Sequence, residues 1–125
     1  MEKFRTLVLE RNEILNVLKA IQPFIQLSWG DTVQLSHGAV TDVDIEKQYI
    51  CWNISTNELL PSILEQEKLE PYVVGKCDLF ISNLNGTEDI HICHEADIHF
   101  DVQFDLAKEI KNTLQKFKIG LELRQ

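Results

Sequence analysis

The first part of the chain shows a helical pattern. Residues 4–9 fit either a short strand or the first turns of a helix, and both interpretations stay open. A helix is predicted to start from Asn12, a suitable N-cap residue, and to bend or end at Pro23. Its apolar stripe recurs at the 3.6-residue period and consists of Ile14, Val17, Leu18, Ile21 and Ile25. Such a one-sided helix needs a second layer to cover it.

Extended segments follow this helix. Residues 31–36 and 39–43 are predicted to be strand-like, with a turn at 37–38 between them. The segment 49–54 is rich in β-branched and aromatic residues and predicts another strand, which leads into the capping-box spacing of 55–58. A second helix therefore follows that strand, and Pro61 predicts a late or irregular start for it.

A β-hairpin over residues 76–94 is the clearest local prediction. Two β-prone segments flank Asn85 and Gly86, the dipeptide preferred by a type I′ turn. With these two as central residues, one face of the hairpin is apolar, since Leu84 faces Thr87, Ile81 faces Ile90, and Leu79 faces Ile92. A further strand is expected after a turn near 94–95, because apolar and polar residues alternate from 96 to 101.

A last amphipathic helix is predicted from the stripe Leu106, Ile110, Leu114 and Phe117, with Gly120 as its stop. Sequential strand connections favour an antiparallel sheet over repeated βαβ units. The predicted fold is therefore α+β, a single domain over residues 1–125 with about three helices packed on a largely antiparallel sheet.

Charge is distributed unevenly along the chain. The net charge of the 125 residues is −8, whereas residues 31–105 alone carry fifteen acidic and three basic side chains, a balance of −12. Such a segment repels nucleic acids and anionic membranes but attracts a basic protein, although charge of this size also serves solubility alone. The first residues lack the apolar core of a signal peptide, and the three cysteines fit free thiols, so we expect a cytoplasmic protein.

Histidine, cysteine and acidic residues cluster between positions 77 and 99. The cluster suggests a small metal-binding or enzymatic domain that would use Cys77, His91, Cys93, His94 and His99. The expected register sets His94 opposite Cys77 but turns His91 and Cys93 to the other face, so four ligands do not converge. Alternation also separates Cys93 from His94, which argues against a thiolate–imidazole pair. We therefore predict no metal and no cofactor.

Motifs for common catalytic chemistry are absent from the sequence. It contains no P-loop, no Gly-x-Gly-x-x-Gly and no Gly-x-Ser-x-Gly. An enzyme is therefore not expected, and a structural subunit or homodimer remains a further alternative. Aromatic residues suited either to an interface or to the core are Trp29, Tyr49, Trp52 and Tyr72.

Three segments of the chain carry a resemblance to a known family: the acidic Thr41-Asp-Val-Asp-Ile-Glu46, the stretch 71–86, and His94-Glu-Ala-Asp-Ile-His99. Together they resemble small bacterial toxin-immunity proteins, including those of contact-dependent growth inhibition and Rhs-type systems. The resemblance implies a protein that is not an enzyme and that binds and neutralises a cognate toxin domain. Since toxins that cleave nucleic acid tend to be basic, acidic side chains would meet the toxin. The predicted partner-binding residues are Asp42, Asp44, Glu46, Glu88, Asp89, Glu95, Asp97 and Asp101.

Overall fold

The computed structural model describes residues 1–37, 51–68 and 73–123. Within them lie seven strands and three helices, which confirms the predicted α+β architecture. The strands are β1 (Glu2–Thr6), β2 (Thr32–His37), β3 (Cys51–Ser55), β4 (Leu79–Ser82), β5 (Asp89–Ile92), β6 (Ile98–Val102) and β7 (Leu121–Leu123). The helices are α1 (Arg11–Trp29), α2 (Leu59–Lys68) and α3 (Phe104–Lys116).

All seven strands form one antiparallel sheet in the order β3-β2-β4-β5-β6-β1-β7. Each central strand alternates buried and half-buried side chains, so the sheet has an inner face and an outer face. Inner-face side chains such as Ile81, Ile90 and Phe100 join the buried stripes of all three helices in one hydrophobic cluster. The helices therefore cover the inner face, and polar residues of the outer face become the candidates for function.

The first helix follows the predicted stripe but not its predicted ends. Its five stripe residues are buried, yet the N-cap is Glu10, whose backbone N–H donates to the Glu13 carboxylate at 3.0 Å. Pro23 does not end the helix, which runs on to Trp29. A proline inside a helix removes one backbone hydrogen bond and crowds the carbonyl four residues earlier. Pro23 lies on the exposed side of α1, where water can satisfy the freed carbonyl.

The second helix starts as the sequence suggested. A 3₁₀ turn over Thr56–Glu58 precedes α2, so the segment before Pro61 is irregular. The predicted strand at the start of the chain is also present, as β1, which settles the alternative left open for residues 4–9. The predicted segment 39–43 lies outside the described residues.

The β4–β5 hairpin has the predicted register with a different turn. Leu79 pairs with Ile92 and Ile81 pairs with Ile90, as expected. The turn, however, begins one residue pair earlier, because the Gly86 N–H donates to the Asn83 carbonyl at 3.0 Å and Asn83 pairs with Glu88. Only Gly86 of the loop has positive φ, so the type I′ prediction is wrong. The Asn83 side chain holds the wider loop by accepting the Glu88 N–H at 3.0 Å.

The last helix ends at Lys116, earlier than the predicted stop at Gly120, and the chain then forms β7 beside β1. Of the helices in the described part of the chain, none combines the length and apolarity needed to cross a bilayer.

Candidate functional site

The outer face carries two parallel rows of polar side chains across the centre of the sheet. One row runs from Phe80 through His91 and His99 to Arg5, since these residues are register partners in neighbouring strands. The next row runs through Ser82, Asp89, Asp101 and Lys3. Titratable groups from β1, β5 and β6 are therefore neighbours on one surface.

Asp78 lies at one end of these rows and contacts two histidines, and these residues form the first cluster. Its Oδ1 lies 2.8 Å from His91 Nε2, 3.1 Å from His94 Nδ1 and 2.9 Å from the His94 backbone N–H. Burial acts to raise the pKa of Asp78, but the hydrogen bonds from the two histidines outweigh it and leave the pKa below its usual value. The same contact raises the pKa of His94. Phe80 stacks on the His91 ring, with centroids 4.2 Å apart, and fixes its orientation.

His94 reaches Asp78 because the chain turns at this point. The Ala96 N–H donates to the Cys93 carbonyl at 3.1 Å, and Ala96 has φ +65°. His94 is therefore a turn residue and not a strand residue, and its ring lies 3.8 Å from the Cys93 sulfur. The expectation that strand alternation separates these two side chains was wrong for this reason. His91 and Cys93 do share a face, as the predicted register had them.

A second cluster lies beside the first and consists of Cys93, Asp97 and His99. Their donor atoms lie within 4.8 Å of one another, and the same holds for Asp78, His91 and Cys93, so Cys93 belongs to both groups. His99 Nε2 hydrogen-bonds Asp97 Oδ2 at 2.8 Å. Cys93 and Asp97 are each only 5% exposed. Burial is the largest of the effects that raise the pKa of the Cys93 thiol, so Cys93 is not an activated nucleophile in this environment.

The acidic pair Asp89 and Asp101 forms the third feature, in the neighbouring row. The two residues are direct partners across β5 and β6, and they line a depression of about 190 Å³ together with His91, His99 and Lys3. Burial, followed by the negative charge of Asp101, raises the pKa of Asp89. Asp101 Oδ1 is buried and has no hydrogen-bond partner among the described residues. His91 and Lys3 offset part of this charge, and a cation bound between the two carboxylates would offset more of it.

No family model, curated protein or solved structure matches the chain. Its function therefore has to be inferred from the outer face.

The predicted partner-binding residues have different environments. Asp89 and Asp101 lie together on the outer face, and Glu95 is exposed in the β5–β6 turn. Glu88 and Asp97 are buried, so the expectation that they project toward a partner does not describe this structure. The positions of Asp42, Asp44 and Glu46 lie outside the described residues.

Glu88 instead has contacts within the fold. Its carboxylate accepts the Gln103 N–H at the start of α3 at 2.7 Å and the Asn83 amide at 3.3 Å. The sequence could not show whether Glu88 is a surface charge or a buried contact. The alternation of a strand predicts which face a residue is on only within the strand, and Glu88 lies just outside β5.

The structure describes some of the remaining candidate residues, namely two of the four aromatic residues and Cys77. Trp29 and Trp52 are half-buried and pack against the hydrophobic cluster, while Tyr49 and Tyr72 lie outside the described residues. Cys77 is half-buried and belongs to neither donor group. Asp78 was not among the predicted ligands. The predicted hairpin register, continued from Leu79 facing Ile92, puts Asp78 opposite Cys93 and is the signal that could have identified it.

Proposed function

We propose that this chain is an immunity-type binding protein, which neutralises a basic toxin domain in the cytoplasm by receiving a cationic side chain of the toxin on its outer face. The observation that carries the proposal is the pairing of Asp89 with Asp101 beside a depression on that face. The proposed activity is binding, with no reaction catalysed.

The geometry of the pair favours a lysine or arginine ligand. A depression of about 190 Å³ equals the liquid volume of about six water molecules, at about 30 Å³ each, which suits the head of a long basic side chain. Arginine presents several N–H donors in a planar fork, so one guanidinium can bond to both carboxylates. Binding would supply a donor for Asp101 Oδ1.

The repulsion within this pair also fits a function of this kind. Cross-strand partners of like charge destabilise a sheet, and the pKa of Asp89 is raised first by burial and then by the charge of Asp101. A protein that binds a cation at this point recovers the lost stability only in the complex. The balance of −12 over residues 31–105 adds long-range attraction for a basic partner.

The test uses the polypeptide encoded by the reading frame immediately upstream of this chain. Its C-terminal domain is purified, and binding is measured by calorimetry at several salt concentrations. We expect the double change Asp89→Asn and Asp101→Asn to weaken binding by roughly 100-fold, equivalent to about 3 kcal/mol. The slope of affinity against salt should decrease as well.

A matched control changes two exposed acids away from the pair, Glu58→Gln in the 3₁₀ turn and Glu65→Gln in α2, and should alter affinity less than threefold. The asparagine variant removes a repulsion and should fold at least as stably as the wild type, so weaker binding cannot be assigned to unfolding. The proposal is rejected if the upstream domain is not bound, or if both double variants bind it equally well.

A further inference from the structure

The β5–β6 turn brings three different metal-ligating side chains to the outer face. The Cys93 N–H donates to the Asp97 carbonyl at 2.9 Å, which closes the turn and makes these residues neighbours across it. His99 follows Asp97 by two residues along β6 and so lies on the same face. The short motif Cys-x-x-x-Asp-x-His therefore assembles a thiol, a carboxylate and an imidazole with no contribution from distant segments.

An unsatisfied buried atom points independently to a ligand at this position. Asp97 is 5% exposed, and its Oδ1 has no hydrogen-bond partner within the described ranges, although its Oδ2 bonds to His99. A buried carboxylate oxygen without a partner is strongly destabilising. A cation between Asp97 and Cys93 would remove that penalty.

The chemistry of the donors selects the class of metal. A thiolate together with imidazole and carboxylate suits zinc, whereas calcium and magnesium take oxygen ligands. Zinc bonds of about 2.0–2.3 Å place tetrahedral ligand atoms about 3.3–3.8 Å apart. Donor atoms that lie within 4.8 Å of one another reach these separations by shifts of at most about 1.5 Å.

We propose that Cys93, Asp97 and His99 bind one zinc ion, with the fourth position open to water or to the adjacent His91. The His91 and His99 rings are 5.3 Å apart between centroids, so His91 is within reach of an ion bound to His99. Asp78, which hydrogen-bonds His91, would orient that imidazole from outside the ligand shell. His91 and His99 also line the depression beside Asp89 and Asp101, but neither of those two acids is a ligand of this site.

Zinc binding displaces the proton of the Cys93 thiol. The proton passes to solvent, a sulfur–zinc bond forms, and no oxidation occurs. Because the thiol loses this proton when it binds the ion, proton release is linked to metal binding. Affinity should therefore increase with pH.

The test uses untagged, reduced, chelator-treated full-length protein and Co²⁺ as a spectroscopic substitute for Zn²⁺. We expect Co²⁺ to produce a thiolate-to-cobalt charge-transfer band that one equivalent of Zn²⁺ abolishes. Cys93→Ser should eliminate the band, and His99→Gln should weaken Co²⁺ binding at least tenfold. The matched controls Cys51→Ser and Cys77→Ser should keep both the band and the affinity.

A second measurement on the wild type avoids any folding defect of the variants. Iodoacetamide labelling is followed by peptide mass spectrometry with and without Zn²⁺. Zinc should slow alkylation of Cys93 at least tenfold and leave the exposed Cys51 unchanged. The assignment is overturned if the wild type gives no charge-transfer band, if Cys93 is not protected, or if the band survives in a folded Cys93→Ser variant. Asp89→Asn with Asp101→Asn should not affect the band, so the two proposals fail separately.

Discussion

Replacement of Glu88 by alanine should destabilise the fold, although the sequence suggested a surface role for this residue. The side chain is 7% exposed and links the β4–β5 loop to the start of α3. Its carboxylate also lies at the N-terminal end of a 13-residue helix, where negative charge is favourable. Alanine removes the carboxylate, so the Gln103 N–H loses this hydrogen-bond acceptor.

The magnitude follows from the two hydrogen bonds. A bond to a charged acceptor contributes about 1.5–3 kcal/mol, and the Gln103 bond is short at 2.7 Å. The Asn83 bond is longer at 3.3 Å and adds less. We expect Glu88→Ala to lower the free energy of unfolding by about 2–3 kcal/mol, which for 125 residues lowers the Tm by roughly 8–12 °C.

Urea unfolding at 25 °C and thermal unfolding, both followed by circular dichroism, measure the effect. Glu88→Gln keeps an acceptor without the charge and should show about half of the loss. Glu95→Gln is the matched control, because that carboxylate is 70% exposed and should change stability by less than about 0.5 kcal/mol. If Glu88→Ala and Glu95→Gln unfold at the same urea concentration, Glu88 does not stabilise the fold as argued.

Three further changes test other parts of the structure. Phe100→Ala should cost about 3–5 kcal/mol, measured by urea unfolding, because the ring is buried and stacks on Phe4 at 4.8 Å. Gly75→Ala should cost about 1–2 kcal/mol in the same assay, because φ is +83° and a side chain of α1 lies 3.4 Å from the added carbon. Asp78→Asn should lower the pKa of His94 in an NMR titration, because it removes the contact that raises this pKa.

The pH dependence of Asp78→Asn follows from both partners. The lowered pKa of Asp78 gives a stabilisation that is present above pH 3.8 and is lost as pH falls through the folded-state pKa. The raised pKa of His94 gives a second stabilisation, which is complete below pH 6.5 and is lost as pH rises through the folded-state pKa of His94. The stability difference from wild type should therefore be largest between pH 3.8 and 6.5.

Each of these predictions has a clear contrary result. Gly86→Ala shares the positive φ but meets open space, so equal losses for it and Gly75→Ala would show that crowding contributes nothing. A Phe100→Ala loss below about 1 kcal/mol would contradict the close packing of that ring. An unchanged His94 titration in Asp78→Asn would exclude the contact between them.

The sheet pattern was predictable where side chains alternate between core and solvent. Shifting one strand of the hairpin by one residue would turn either Ile81 or Ile90 to the outer face, so the apolar ladder allows one register whatever the turn. The turn type was not predictable, because the Asn83 side chain stabilises a wider loop than the Asn85-Gly86 dipeptide suggests. Strand β7 has only three residues and therefore carries no period to detect.

The candidate sites were less predictable because alternation gives the face of a residue but not its depth. The sequence placed Asp89, Asp97 and Asp101 in regular alternation, and nothing in it distinguished the buried Asp97 from the half-buried pair. The position of His94 depended on the turn at Ala96, where a non-glycine residue adopts positive φ. Local backbone reversals of this kind decide which ligands meet.

The position of β1 in the sheet has a consequence for synthesis. Among the described residues its two neighbours are β6 and β7, so residues 2–6 pair with residues 98–102 and 121–123. At about 5–20 residues per second, a ribosome needs roughly 5–18 s to make the chain between β1 and β6. During that time the first strand has neither of these partners, so its part of the sheet can form only after residues 98–102 have been synthesised.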